Sequence, residues 1–202
     1  MLEKHHLEPS LTYQDYMKMA HELFEQGKTT SKDPHYNEAW VLELTKLNFQ
    51  RIQRIEKTTQ VSEDLQQELQ RLDKNWTWLM LVESWCGDVA QNLPTIHKIA
   101  EASRGKISLQ LLLRDENLEV MDMFLTNGGR SIPKMVCLDE NLNVLGTWGP
   151  RPAPVQELML NAKAEGKTFD EIHDIVHGWY AKDKTQTLQT EFLALIKSWS
   201  VL

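Results

Sequence analysis

Only a few side chains in this 202-residue sequence could carry covalent or acid–base chemistry near neutral pH, and the first is Cys86, in Ser84-Trp85-Cys86-Gly87-Asp88-Val89. An apolar strand-like run precedes it and a helix-like pattern follows, so Cys86 falls where a strand turns into a helix. Unpaired backbone N–H groups and the positive end of a helix dipole favour a thiolate there, the form that attacks disulfides. Asp88 works in the opposite direction. At ~6 Å and an effective dielectric constant of ~20 to 40, its carboxylate would repel a thiolate by roughly 1.4 to 2.8 kcal/mol, against about 0.3 to 1 kcal/mol from the helix end, reaching ~2 in favourable sites. Neither effect clearly wins on sequence alone, and Arg130 would favour the thiolate if it reached the site.

The other cysteine, Cys137, lies four residues past Pro133 on a strand-like run. That is roughly 13 Å of strand, beyond the ~7 Å between Cα atoms that a disulfide tolerates, so a buried packing role is expected. His173 and His177 stand four apart on a helix and could share a metal. However, Asp174 replaces the glutamate of the zinc-protease pattern and no third ligand is evident, so packing with Ile172, Ile175, Val176 and Trp179 is the expectation.

The elements that would position these groups follow from periodicity. Residues 1–74 read as helices: Tyr13, Tyr16, Met17, Ala20, Leu23 and Phe24 share one face, then Trp40, Leu44 and Leu47 with Ile52 and Ile55, then Leu65, Leu69 and Leu72 behind an N-cap at Ser62. They show no site-like cluster and read as structural. Residues 76–83 read as a buried strand, 88–102 as a helix, 107–113 as a strand and 118–125 as a short helix. Strands at 134–138 and 143–147 then form a hairpin. A strand–helix–strand start implies a parallel pair with a right-handed crossover, and the hairpin adds antiparallel strands. Helices follow, one opened by the capping box Thr168-Phe169-Asp170-Glu171 and one carrying Phe192, Leu195, Ile196 and Trp199. The expected fold class is α/β, a mixed sheet flanked by helices. Its organisation is a helical extension over 1–74, a core over 75–163 and C-terminal helices over 164–202.

Composition narrows the function. A formal charge of −7 argues against nucleic acid, which needs a basic face. No apolar run is long enough to span a bilayer, and the first residues lack the basic and apolar segments of a secretory signal. Two cysteines are too few for a disulfide framework, so a reducing cytosol is the expected compartment.

The motifs around Cys86 carry a resemblance. Trp85-Cys86-Gly87 resembles the opening of the Trp-Cys-Gly-Pro-Cys motif of the thioredoxin family. Pro94 falls where that family has a helix-kinking proline. Gly129-Arg130-Ser131-Ile132-Pro133 resembles the segment before its cis-proline, and Gly146 and Gly149 suit its glycine-bearing sheet end. The resemblance covers residues 76–162. It implies that Cys86 is the reacting sulfur, with Trp85 and Asp88 beside it, and that Ile132 and Pro133, with Arg130 in the same loop, face the sulfur and hold the substrate backbone. Asp88-Val89 replaces the family's Pro-Cys, and Met80 replaces its buried acid, so the resolving cysteine and the group that deprotonates it are both missing. The expected function is therefore single-cysteine thiol/disulfide chemistry, a monothiol oxidoreductase rather than a dithiol reductase. An external thiol, glutathione or another small one, would release the product; no other cofactor or metal is expected. The partner would be a protein or small-molecule thiol or disulfide. The alternatives are a non-catalytic binding module and a redox sensor in which Cys86 becomes a sulfenic acid. Seven tryptophans fit either core packing or a partner surface, including one with a second copy of the chain.

Overall fold

A computed structural model describes residues 2–201. Three helices come first: α1 (Tyr13–Glu25), α2 (Ala39–Thr58) and α3 (Glu63–Arg71). The sheet then alternates with helices as β1 (Trp76–Val82), α4 (Gly87–Ala102), β2 (Ile107–Leu113), α5 (Leu118–Asp122), β3 (Lys134–Leu138) and β4 (Val144–Trp148). The chain closes with α6 (Ala153–Ala164), α7 (Phe169–Asp183) and α8 (Gln186–Ser200). No helix among the described residues is long and apolar enough to cross a membrane.

The strand order is β2-β1-β3-β4. β1 and β2 run parallel, with Leu79 opposite Gln110, whereas β1 and β3 run antiparallel, with Leu79 opposite Val136. This is the mixed sheet expected from the strand–helix–strand start and the hairpin. β1 and β3 are central, so their residues are almost all buried on both faces, which is why they read as unbroken apolar runs instead of alternating. The outer edge of β2 is covered at one point by the N-terminal segment, where Leu11 and Leu111 exchange two backbone hydrogen bonds at 2.8 and 2.9 Å. That protects an edge otherwise open to strand addition.

One hydrophobic core joins all parts of the chain. Tyr13, Leu65 and Leu69 from the first helices, Trp78 and Leu81 from β1, and Leu188 and Phe192 from α8 belong to the same buried cluster. The Phe192 ring lies 5.2 Å from Trp78 and 5.4 Å from Trp148, and Trp199 lies 6.2 Å from Trp76. Alternate β1 residues therefore face α8.

Three details differ from expectation. On α2 the buried stripe is Val41, Thr45, Asn48, Ile52 and Ile55, while Trp40 and Leu47 are exposed. The apolar pattern pointed one residue off because two of the inward residues are polar. α5 ends at Asp122, not 125, and a turn through Asn127 and Gly128 leads toward β3. β4 runs one residue later than expected, from Val144 to Trp148.

Gly146 marks where α8 meets the sheet: a Cβ there would stand 2.2 Å from Trp199 Nε1. Trp199 is buried and its rigid indole cannot yield. Gly146→Ala should therefore destabilise the protein by about 1–3 kcal/mol, read as a lower urea midpoint with an unchanged slope.

Candidate functional site

β1 ends at Val82, and the chain turns through Glu83, Ser84 and Trp85 to place Cys86 at the N-cap of α4. The thiol is buried, and Cys86 Sγ donates a hydrogen bond to the Ile132 carbonyl at 3.4 Å. The Ile132–Pro133 peptide is cis. The structure thus brings Cys86, Trp85, Asp88, Ile132 and Arg130 to the wall of one cleft of about 630 Å³, with Pro133 directly behind Ile132. Gly149, with φ +112°, closes this arrangement, since a Cβ there would meet the Pro133 carbonyl oxygen at 2.2 Å.

Asp88 is held by two elements that are distant in sequence. Arg151, just after β4, gives its Nε–H at 3.1 Å and its Nη2–H to Asp88 Oδ2. Tyr180 on α7 donates its hydroxyl to Oδ1 at 2.8 Å. Asn92, one turn along α4, donates to both the Asp88 carbonyl at 2.7 Å and the Tyr180 oxygen at 2.9 Å. Both carboxylate oxygens are occupied, so Asp88 fastens the first turn of α4 to the C-terminal helices.

Burial pushes the Cys86 thiol up to about 12, with the Asp88 charge adding to the effect. The N–H groups of Val89 and Asp88 and the Arg151 charge pull the other way without overcoming it. The helix-end advantage expected for Cys86 is present, but desolvation outweighs it. No second cysteine lines the cleft. Val89 is buried where a resolving cysteine would stand, and Cys137 is buried on β3 opposite Trp78 and Gly146.

Arg130 does not act on the sulfur as a free charge. Its guanidinium is bidentate to Asp122, at 2.6 and 2.8 Å, on the exposed rim. Trp85 stacks on the Tyr36 ring, 4.1 Å away at 9°, and the Arg114 guanidinium lies close to both rings, 4.9 Å from Trp85 and 5.6 Å from Tyr36. These contacts hold the indole beside the thiol.

A family model for thioredoxin matches residues 36–167, well over half of the 202-residue chain. The chain belongs to the thioredoxin family. No curated protein matches it. Among solved structures, the crystal structure of an HIV epitope scaffold superposes with a TM-score of 0.53 at 21% identity, covering 93% of this chain and 98% of the other. A protein of unknown function from Pseudomonas aeruginosa aligns with a TM-score of 0.47 at 22% identity, covering 85% of this chain and 96% of its own. The match begins at Tyr36, inside the segment read from sequence as a purely structural extension.

That segment holds the turn before Cys86 in place. Thr30 donates to Glu83 and accepts the Ser84 N–H at 2.9 Å, and Asn48 on α2 donates to the Ser84 carbonyl at 3.1 Å. Arg51, one turn further, donates to Asn48 at 2.8 Å and contacts His173 Nε2 at 3.3 Å. His173 and His177 are therefore cleft residues and not simple packing. His177 pairs with Gln91 at 3.0 Å, and a Cβ on Gly87 would lie 2.7 Å from its Nε2. Burial and the neighbouring arginines push His177 down to about 2, so it is neutral. The signal in sequence that could have found Asn48 is its spacing, four residues before Ile52 and seven before Ile55, on the stripe the structure buries. Nothing singled out Arg151 or Tyr180.

Where the dithiol pattern of the family would place a buried acid, this chain has Met80, but Glu83 supplies a carboxyl three residues later and fully buried. Desolvation raises it to about 7, against hydrogen bonds from Thr30 and the Asp115 N–H. A folded value above the unfolded one means the native state binds the extra proton. Stability from this group is full at low pH and falls as pH rises from about 4.5 to about 7. The loss should be on the order of 3 kcal/mol, and Glu83→Gln should flatten it in urea titrations across that range.

Asp88→Asn should act in two directions at once. Removing the carboxylate charge strands Arg151 and should cost about 3–5 kcal/mol of stability. It also removes a cause of the raised thiol value, so iodoacetamide should modify Cys86 about three- to tenfold faster at fixed alkaline pH.

Proposed function

We propose that this thioredoxin-family chain is a binding module: the cleft beside Cys86 captures a ligand, and the thiol lines its floor in protonated form. The observation that carries this reading is the buried, hydrogen-bonded Cys86, raised to about 12 with no partner sulfur. At neutral pH such a thiol is held in its protonated form. The cleft has the size of small-ligand sites, typically about 300–1,000 Å³, and mixes apolar walls with a few fixed polar groups.

A second reading is single-cysteine exchange, favoured by the sulfur facing the cis Ile132–Pro133 peptide. There the Cys86 thiolate attacks one sulfur of a disulfide, forming a mixed disulfide and releasing the other sulfur as a thiolate that takes up a proton. An external low-molecular-weight thiol, glutathione for example, would then attack the mixed disulfide and return Cys86 to its reduced form. Asp88 and Trp85 would shape that site, Ile132 and Pro133 would orient the partner, and Arg130 would lie at its rim.

A disulfide-reduction assay of wild type and Cys86→Ser, with and without glutathione, separates the two. The binding reading predicts equal, background rates for both proteins. A glutathione-dependent rate in wild type that Cys86→Ser abolishes would replace it with the exchange reading.

A further inference from the structure

Four arginines line the cleft, and three are already committed to carboxylates: Arg114 to Asp115, Arg130 to Asp122 and Arg151 to Asp88. Arg51 alone has no carboxylate partner among the described residues. Its Nη1 lies 3.6 Å from where a Gly87 Cβ would stand, beside the first turn of α4. The carboxylate charge that acts on it is that of Asp88, whose oxygens are taken. Its neighbours His173 and His177 both have lowered values, through burial and the Arg51 charge, and add no positive charge of their own. Burial lowers Arg51 itself, the mark of a cation whose compensation is incomplete.

The walls beyond Arg51 are apolar. Leu44 on α2, Met159 on α6 and Ile172 on α7 face the same space. At the mouth, Trp40 and Phe169 meet edge to face at 6.3 Å although they are 48% and 63% exposed. Exposed apolar side chains that adjoin one another and continue an apolar cleft are the kind of patch that marks a ligand-binding groove. One uncompensated guanidinium at the inner end and apolar surface to the mouth match a ligand with one negative head and an apolar body. Glutathione, polar along its length and carrying two carboxylates, matches them poorly.

We propose that the cleft takes a small amphipathic monocarboxylate, with its head group on Arg51 and its apolar chain between α2 and α7 under Trp40 and Phe169. This rests on the binding reading above and names the class of ligand for that site. Carboxylate and guanidinium are geometrically matched for paired hydrogen bonds, and a lysine would supply the charge without the fork.

The test uses decanoate as probe and decanol as its uncharged counterpart, titrated calorimetrically into the full chain. Wild type should bind decanoate saturably and decanol at least about tenfold more weakly. Arg51→Gln should lose about tenfold or more in decanoate affinity with decanol unchanged, and Arg51→Lys, which keeps the charge but not the fork, should recover only part of the loss. Wild-type and variant melting temperatures show whether the fold is kept, and Arg51→Lys carries the comparison if Arg51→Gln does not fold. The proposal is overturned if decanoate fails to bind wild type, binds Arg51→Gln as tightly, or is displaced by glutathione at equal concentration. These outcomes are independent of the disulfide assay: turnover at Cys86 would remove the binding-module reading whether or not Arg51 holds a carboxylate, and an inert Cys86 with no decanoate binding would remove only the ligand class.

Discussion

The buried pairing of Asp88 with Arg151 and Tyr180 organises this molecule. A carboxylate and a guanidinium taken out of water are costly unless their remaining hydrogen-bonding groups are satisfied. Here they are: Arg151 also donates to Gln156, and Asn92 bridges Asp88 to Tyr180. The pair therefore ties the start of α4, the segment after β4 and α7 into one unit. The cleft exists because α7, docked by Tyr180, brings His173, His177 and Phe169 opposite α2.

Burial sets the state of the thiol, and the Asp88 charge adds to it. In the family's dithiol pattern, a proline and a second cysteine follow the Cys-Gly pair, and here Asp88 and Val89 take those places. The substituted aspartate does more than remove a resolving sulfur. It attracts partners that close the surroundings of Cys86, and its charge opposes ionisation of the sulfur. A helix N-terminus favours a thiolate by an amount that burial easily exceeds. The location that looks reactive in sequence is, in this chain, a protected thiol facing a cavity.

The sheet was legible because β1 and β3 are buried on both faces and spell unbroken apolar runs, and because turn residues bracket the hairpin. Trp85-Cys86-Gly87 and Ile132-Pro133 were legible as local motifs. The remaining part of the site was hidden by its long-range origin. Arg151 is separated from Asp88 by 63 residues, and Tyr180 by 92. Single-sequence periodicity carries no information on such pairings. It also misplaced the inward face of α2, because Thr45 and Asn48 are buried to serve backbone groups, Thr45 capping the Val41 carbonyl and Asn48 reaching Ser84. A hydrophobic stripe is blind to residues buried for their hydrogen bonds. The first helices and the segment joining α1 to α2 consequently read as an accessory, although they supply the Tyr36 ring, the Asn48 amide and the Arg51 charge.

The most direct test of this account is an ultraviolet titration of thiolate absorbance, taken as the difference between wild type and Cys86→Ser in the native state. A sulfur held protonated by burial and by Asp88 gives no thiolate signal up to about pH 10. A transition near or below the free-thiol value of about 8.5 would show an accessible, activated sulfur and contradict the account.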